Sequence, residues 1–132
     1  MAGSVYFYDY HPPVGDIRAE VLEGLQKKPK QIPPKYFYDQ RGSRLFDLIT
    51  GLPEYYPTRT ELAILENQGQ AIAEFLGDNC VLVELGSGSS RKIRLLLDAI
   101  RPDSYVPIDI SKNHLFQSAN TLAKDYPWLE IH

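Results

Sequence analysis

Residues 81 to 92 read Val-Leu-Val-Glu-Leu-Gly-Ser-Gly-Ser-Ser-Arg-Lys, a β-branched apolar run that ends on an acid and breaks into a Gly/Ser loop. Such a run fits a buried strand whose carboxyl end delivers the chain to a loop where a ligand can lie against bare backbone. The helix that follows offers free N–H groups, so Gly86, Ser87 and Gly88 suit a nucleoside-bearing cofactor. The loop is neither a full G-x-G-x-x-G nor a P-loop, because no Gly-Lys-Ser/Thr follows the required gap. Asp109 stands 23 positions after Gly86, at the end of a second apolar run, where its two oxygens match the two hydroxyls of a ribose. Plainer readings stay open: a tight strand-to-helix turn without a ligand, and a helix cap or solvated strand end at Asp109. Glu84 either touches a cationic cofactor or pairs with a base, and Lys92 either points into the site or covers a helix surface.

A second group of residues is aromatic. Nine tyrosines accompany five phenylalanines, and Tyr36, Tyr38, Phe46, Tyr55 and Tyr56 are interleaved with Asp39, Arg41 and Glu54. Ring faces attract ammonium groups by about 0.5–2 kcal/mol per contact, so an amine site could be built there, or the rings could simply pack helices on a sheet. His11, His114 and His132 show no ligand spacing to one another, so no metal site is expected.

The elements that must position these groups follow from periodicity. Residues 1–15 have no period and contain His11-Pro12-Pro13, an irregular leader ordered only by docking elsewhere. Asp16 is a plausible cap for a short helix with Ile17, Val21, Leu22 and Leu25 on one face, followed by an extended Lys/Pro connector from Lys27 to Lys35. Ser43 is expected to cap a helix with Leu45, Leu48, Ile49 and Leu52 on one face and Phe46 displaced from it. Thr58-Arg59-Thr60-Glu61 matches a capping box opening a longer helix with Leu62, Leu65, Ile72 and Leu76, stopped by Gly77-Asp78. From Cys80 onward the pattern is β-α-β-α: a strand to Leu85, a helix to Ile100, a strand from Ser104 to Ile108, and a helix capped by Ser111. The start of a third strand lies in residues 127–132. Three segments result: a leader (1–15), a helical Tyr-rich segment (16–78), and an α/β segment (79–132). Two or three parallel strands cannot bury both faces of a doubly wound sheet, so the sheet is expected to be incomplete and the chain to be the front part of something longer.

Composition narrows the classes. Fourteen Lys and Arg against seventeen Asp and Glu give a net charge of −3, which leaves no basic footprint for nucleic acid. Cys80 is the single cysteine, so no intrachain disulfide can form; it is expected as a small buried residue at a strand start in a reducing compartment. No run approaches the length needed to cross a bilayer and no signal peptide is evident, so a cytoplasmic location without membrane partners is expected.

The most distinctive stretches are Pro33-Pro34-Lys35-Tyr36-Phe37-Tyr38-Asp39, Gly42-Ser43, Leu45-Phe46, Leu52-Pro53-Glu54-Tyr55-Tyr56-Pro57-Thr58-Arg59-Thr60-Glu61 and Val83-Glu84-Leu85-Gly86-Ser87-Gly88. Together they resemble the N-terminal part of the histidine-specific Nα-methyltransferases of ergothioneine biosynthesis, related also to fungal dimethylallyltryptophan N-methyltransferases. The resemblance implies a Rossmann-like class I methyltransferase sheet, incomplete here, preceded by an N-terminal helical segment. It implies S-adenosyl-L-methionine as cofactor, with Gly86, Ser87, Gly88 and Lys92 around its amino acid portion and Asp109 on the ribose. It places Tyr38, Phe46 and Tyr55 in the substrate pocket, with Tyr38 as the catalytic residue. The implied reaction is methylation of the α-amine of an amino acid, histidine to trimethylhistidine. The alternatives are another amine or amino acid substrate, or a truncated module that binds cofactor without turnover. The family's adenine-contacting strand and inserted second domain lie beyond these residues, so the missing C-terminal part of the same enzyme is the expected partner.

Overall fold

The computed structural model describes every residue except Met1, Ala2, Pro12, Val14 and Ser89. Five α-helices and three strands follow in the order α1 (Ile17–Gln26), α2 (Gln40–Thr50), α3 (Tyr56–Leu76), β1 (Val81–Leu85), α4 (Arg91–Ile100), β2 (Ser104–Ile108), α5 (Lys112–Asp125) and β3 (Glu130–Ile131), with a 3₁₀ turn at Pro34–Phe37. The strands form one parallel sheet in the order β1-β2-β3, with Val81 opposite Ser104 and Leu85 opposite Ile108. Parallel neighbours need crossovers, and α4 and α5 supply them.

The core lies between the sheet and these two helices. Ile93 and Leu97 of α4 and Ala119, Leu122 and Ala123 of α5 meet Tyr105 of β2, Leu129 and Ile131 of β3, all buried. The helical spacing of those positions puts them on the sheet-facing sides, as the sequence pattern predicts. Helix α3 lies on α4, where Gly69 brings the two backbones together: a methyl there would sit 3.6 Å from the Ala99 Cβ.

The opposite face of β1 has no cover among the described residues. Val81, Val83 and Leu85 are 59%, 54% and 79% exposed, so the expectation of a buried strand holds for one face only. Cys80 is likewise half-buried rather than buried. The helical segment is also thinly packed: Leu45, Leu48, Ile49 and Leu52 of the α2 region all remain exposed, as do Ile17, Leu22 and Leu25 on α1. Their apolar stripes form as the periodicity requires but find little to pack on.

The caps differ from expectation in three places, one of them Ser111, which precedes α5 but whose side chain accepts no backbone N–H. Helix α2 begins three residues before Ser43, because the Asp39 carboxylate accepts the Gly42 N–H at 2.7 Å. Gly42 suits this start, since any Cβ there would overlap the Phe37 carbonyl oxygen. Helix α3 begins at Tyr56 with Pro57 in its first turn and no side-chain cap, so Thr58 is already helical and the capping box does not form. Asp16 caps α1 as expected, accepting the Ala19 N–H. Glu20 on the same helix accepts from Lys35 and from the Tyr36 hydroxyl at 2.8 Å, contacts that hold its carboxyl below the usual range and tie α1 to the 3₁₀ turn.

The leader docks on the free side of β3. Val5 bridges Ile131 in parallel, Ile131 donates to the Ser4 carbonyl and Tyr6 donates to the Ile131 carbonyl. Tyr6 stacks on His132 at 4.9 Å, Phe7 meets Phe116 edge-on at 5.3 Å, and Asp9 pairs with Lys112 at 2.5 Å. The segment that the sequence leaves irregular is ordered by one β-bridge and by side-chain contacts with residues more than a hundred positions away. The contrast in packing predicts that Leu97→Ala costs about 2–5 kcal/mol and Leu48→Ala less than about 0.5 kcal/mol. Denaturant unfolding of the two variants checks this.

Candidate functional site

Both long strands end at the same level, and the chain turns there twice. The Gly86 N–H donates to the Ile108 carbonyl at 2.7 Å, so the glycine loop starts as an extension of the β1–β2 ladder. Gly86 and Gly88 have φ of 71° and 53°, and Ser90, which precedes α4, has φ of 54°. A serine in the left-handed region costs on the order of 1 kcal/mol and points to a loop shaped for a purpose. Asp109 holds the loop from the neighbouring strand end: one oxygen accepts the Gly88 N–H at 3.2 Å, the other the Ser111 N–H at 2.8 Å. Ser118 of α5 donates its hydroxyl to the Gly88 carbonyl at 3.3 Å.

The loop forms one wall of a cavity of about 830 Å³, and the Tyr-rich segment forms the other. The eight residues that the family resemblance assigns to the site all line it, Tyr38, Phe46 and Tyr55 on the aromatic side and Gly86, Ser87, Gly88, Lys92 and Asp109 on the loop side, whereas Glu54 and Tyr56 of the Tyr-rich stretch do not. Phe46 and Tyr55 pack edge to face with centroids 5.8 Å apart, so the displacement of Phe46 from the apolar stripe of α2 turns it toward the cavity wall. Tyr38 sits between the 3₁₀ turn and the Asp39 cap. Arg59 fixes the turn that carries Tyr55, donating to the carbonyls of Leu52 at 3.3 Å and Pro53 at 2.6 Å.

Ser87 is 6% exposed, and its hydroxyl oxygen has no hydrogen-bond partner among the described residues. An orphaned hydroxyl beside a cavity marks a place where a ligand supplies the missing partner. A Cβ added at Gly86 would meet nothing within 4 Å, which leaves that backbone open to close approach. The polar groups here, a serine hydroxyl, a lysine ammonium and an accepting carboxylate beside open backbone, suit a nucleoside joined to a charged amino acid.

Glu84 pairs with a phenol rather than with a base. Its carboxylate accepts the hydroxyl of Tyr105 at 2.5 Å, and it is not among the residues that line the cavity. Burial pushes the Glu84 carboxyl up, while the Tyr105 hydrogen bond pulls it down. Burial and the adjacent carboxylate raise the Tyr105 phenol far above its usual range. The sequence reading missed Arg59, Ser118, Arg91 and His114, the last two also on the cavity wall. Ser118 had a signal, a polar residue on the apolar stripe of Leu115, Ala119 and Leu122.

A parallel α/β sheet with a glycine loop and an acidic strand end opening on one cavity defines a nucleoside-cofactor-binding protein. More narrowly, the chain belongs to the family of histidine-specific, SAM-dependent methyltransferases, whose model matches residues 17–132. It is 47% identical over 120 residues to the histidine N-alpha-methyltransferase of Mycobacterium tuberculosis (strain CDC 1551 / Oshkosh), a match covering 88% of this chain and 37% of that protein. It is 35% identical over 106 residues to ergothioneine biosynthesis protein 1 of Neurospora crassa, covering 76% of this chain and 12% of that one. Against the 4-dimethylallyltryptophan N-methyltransferase of Claviceps purpurea, identity is 32% over 116 residues, 78% of this chain and 34% of that protein. The chain thus spans little more than a third of the length of the bacterial relative.

Removing the Tyr105 hydroxyl leaves a half-buried carboxylate short of a partner, so Tyr105→Phe is expected to cost about 1–2 kcal/mol at pH 7. The sign with pH follows from the raised Glu84 value: the folded variant binds this proton more readily than the unfolded chain. The loss therefore shrinks as pH falls through the folded-state value of Glu84. Unfolding at pH 7 and pH 4 measures it.

Proposed function

We propose that the protein binds S-adenosyl-L-methionine at the glycine loop and methylates the α-amine of an amino acid, histidine first among them, held against the Tyr38, Phe46 and Tyr55 wall. The observation that carries this reading is the single cavity joining loop and aromatic wall. Family membership and the name of the mycobacterial relative support histidine as acceptor, and the name of the Neurospora crassa relative supports the ergothioneine pathway as context.

The cofactor, when bound, supplies an electrophilic methyl on a sulfonium. Gly86 and Gly88 let it lie against backbone, the Ser87 hydroxyl gives it a buried hydrogen-bond partner, and Asp109 receives the ribose diol. For that, Asp109 shares or exchanges the Gly88 and Ser111 N–H groups it now accepts. Positive charge passes from sulfur to nitrogen in the transfer, so no net charge is created, and the work of the site is alignment and exclusion of water. Tyr38 is the residue to orient the amine nitrogen, which must present its lone pair and so be neutral. The rings of Phe46 and Tyr55 accommodate a product that grows toward a quaternary ammonium. Arg59 keeps Tyr55 in place by fixing the backbone before it.

In this reading the three strands are the first part of a Rossmann-like class I methyltransferase sheet. Residues 16–78 are the acceptor side, and residues 79–132 begin the donor-binding domain. The uncovered face of β1 receives further polypeptide of the same enzyme, which completes the acceptor pocket. The 4-dimethylallyltryptophan enzyme among the relatives makes a tryptophan derivative the rival acceptor.

Incubation of the whole protein with the methyl donor and a panel of amino acids and amines, read by mass spectrometry, is expected to give mono-, di- and trimethylated histidine. Absence of methylation on every acceptor would rule the activity out, and a preference for tryptophan derivatives would replace the substrate. Asp109→Ala is expected to weaken cofactor binding by about 1–3 kcal/mol through lost charge-assisted hydrogen bonds; calorimetric titration showing unchanged affinity would remove Asp109 from the site.

A further inference from the structure

We propose that Glu61 and Lys92 together read the amino acid end of the methyl donor, Lys92 taking its carboxylate and Glu61 its ammonium. This rests on the reading of the cavity as a donor site and adds to it a residue, Glu61, on a different helix from the glycine loop.

The Lys92 ammonium lies 3.2 Å from both carboxylate oxygens of Glu61. Their side chains are 41% and 51% exposed, and an ion pair so open to water adds little to the stability of a fold. Its position is more telling than its strength. Both residues line the cavity beside Gly86, Ser87 and Gly88, Lys92 from the first turn of α4 and Glu61 from the second turn of α3. A cation and an anion held side by side on a cavity wall complement a zwitterion, whose ammonium and carboxylate stand on one carbon. When a zwitterion enters, the Glu61–Lys92 contact is exchanged for two such contacts, and no charge is left without a partner.

The other acids are placed for other work. Asp109 is engaged by the Gly88 and Ser111 N–H groups, Glu84 by Tyr105, and Asp39 by the Gly42 N–H. Asp47 belongs to α2, beside Phe46 on the aromatic wall. Glu61 is the acid whose partner is a flexible ammonium on the loop side, free to turn to an incoming anion.

The test is a cycle between residue and ligand on the whole protein. S-adenosylhomocysteine and its ammonium-free analogue, S-adenosyl-4-mercaptobutanoate, are titrated calorimetrically into wild type and Glu61→Gln, with 5′-methylthioadenosine as the ligand lacking the amino acid end. Wild type is expected to bind S-adenosylhomocysteine about tenfold or more tighter than the analogue. Glu61→Gln should bind the two alike, with its affinity for 5′-methylthioadenosine unchanged. Equal weakening of all three ligands would make Glu61 a tether between helices and overturn the proposal. Equal binding of S-adenosylhomocysteine and the analogue by wild type would overturn it without any variant, while leaving the donor site standing. Failure of wild type to bind any of the three would sink the donor site itself, and this proposal with it.

Discussion

The register of β1 against β2 is the constraint on which the site depends. Because Leu85 lies opposite Ile108, the residues that follow, Gly86 and Asp109, leave the sheet side by side. The Gly86 N–H then reaches the Ile108 carbonyl, and Asp109 reaches the Gly88 N–H. A slip of one residue would turn Tyr105 away from the core and carry Asp109 out of range of the loop. Tyr105, wholly buried between α4, α5 and β3, holds that register, and its hydroxyl secures Glu84 one residue before the strand ends.

Cofactor side and aromatic side are built on different principles. The loop side rests on a packed core, with the strand ends, α4 and α5 fixing backbone atoms to which a ligand can bind. The aromatic side rests on polar ties: Asp39 on Gly42, Arg59 on two carbonyls, Glu20 on Lys35 and Tyr36. Helix α3 connects them, carrying Arg59 near one end of its first turns and Glu61 toward α4.

The α/β half was legible because buried faces impose period. Val81 to Leu85, Ser104 to Ile108, and the stripes through Leu97 and Leu122 could be read directly, and the turns between them carry glycine, proline or aspartate. The helical half was legible as helices but not in its starts, since caps depend on which of several polar residues reaches a free N–H. Asp39 and Ser43 were both chemically able, and the crowding of Gly42 against Phe37 favours Asp39. The distant ties were not legible at all: Lys92 to Glu61, Tyr105 to Glu84, Asp9 to Lys112 and Val5 to Ile131 join residues with no pattern linking them in sequence. The recognisable residues gathered at one cavity because the family's motifs mark the two walls, whereas the groups that hold those walls in place lie mostly outside the glycine loop.

The docked leader also fixes a polarity. Gly3 donates to the carbonyl of Ala123, near the end of α5 that feeds β3, and the segment then runs alongside β3 in the same direction until Asp9 meets Lys112 at the start of α5. Gly3 therefore stands at the pole away from the glycine loop. A label carried near Gly3 would stand at the end of the sheet away from the glycine loop, whereas one near Asp9 would stand at the end where α5 starts.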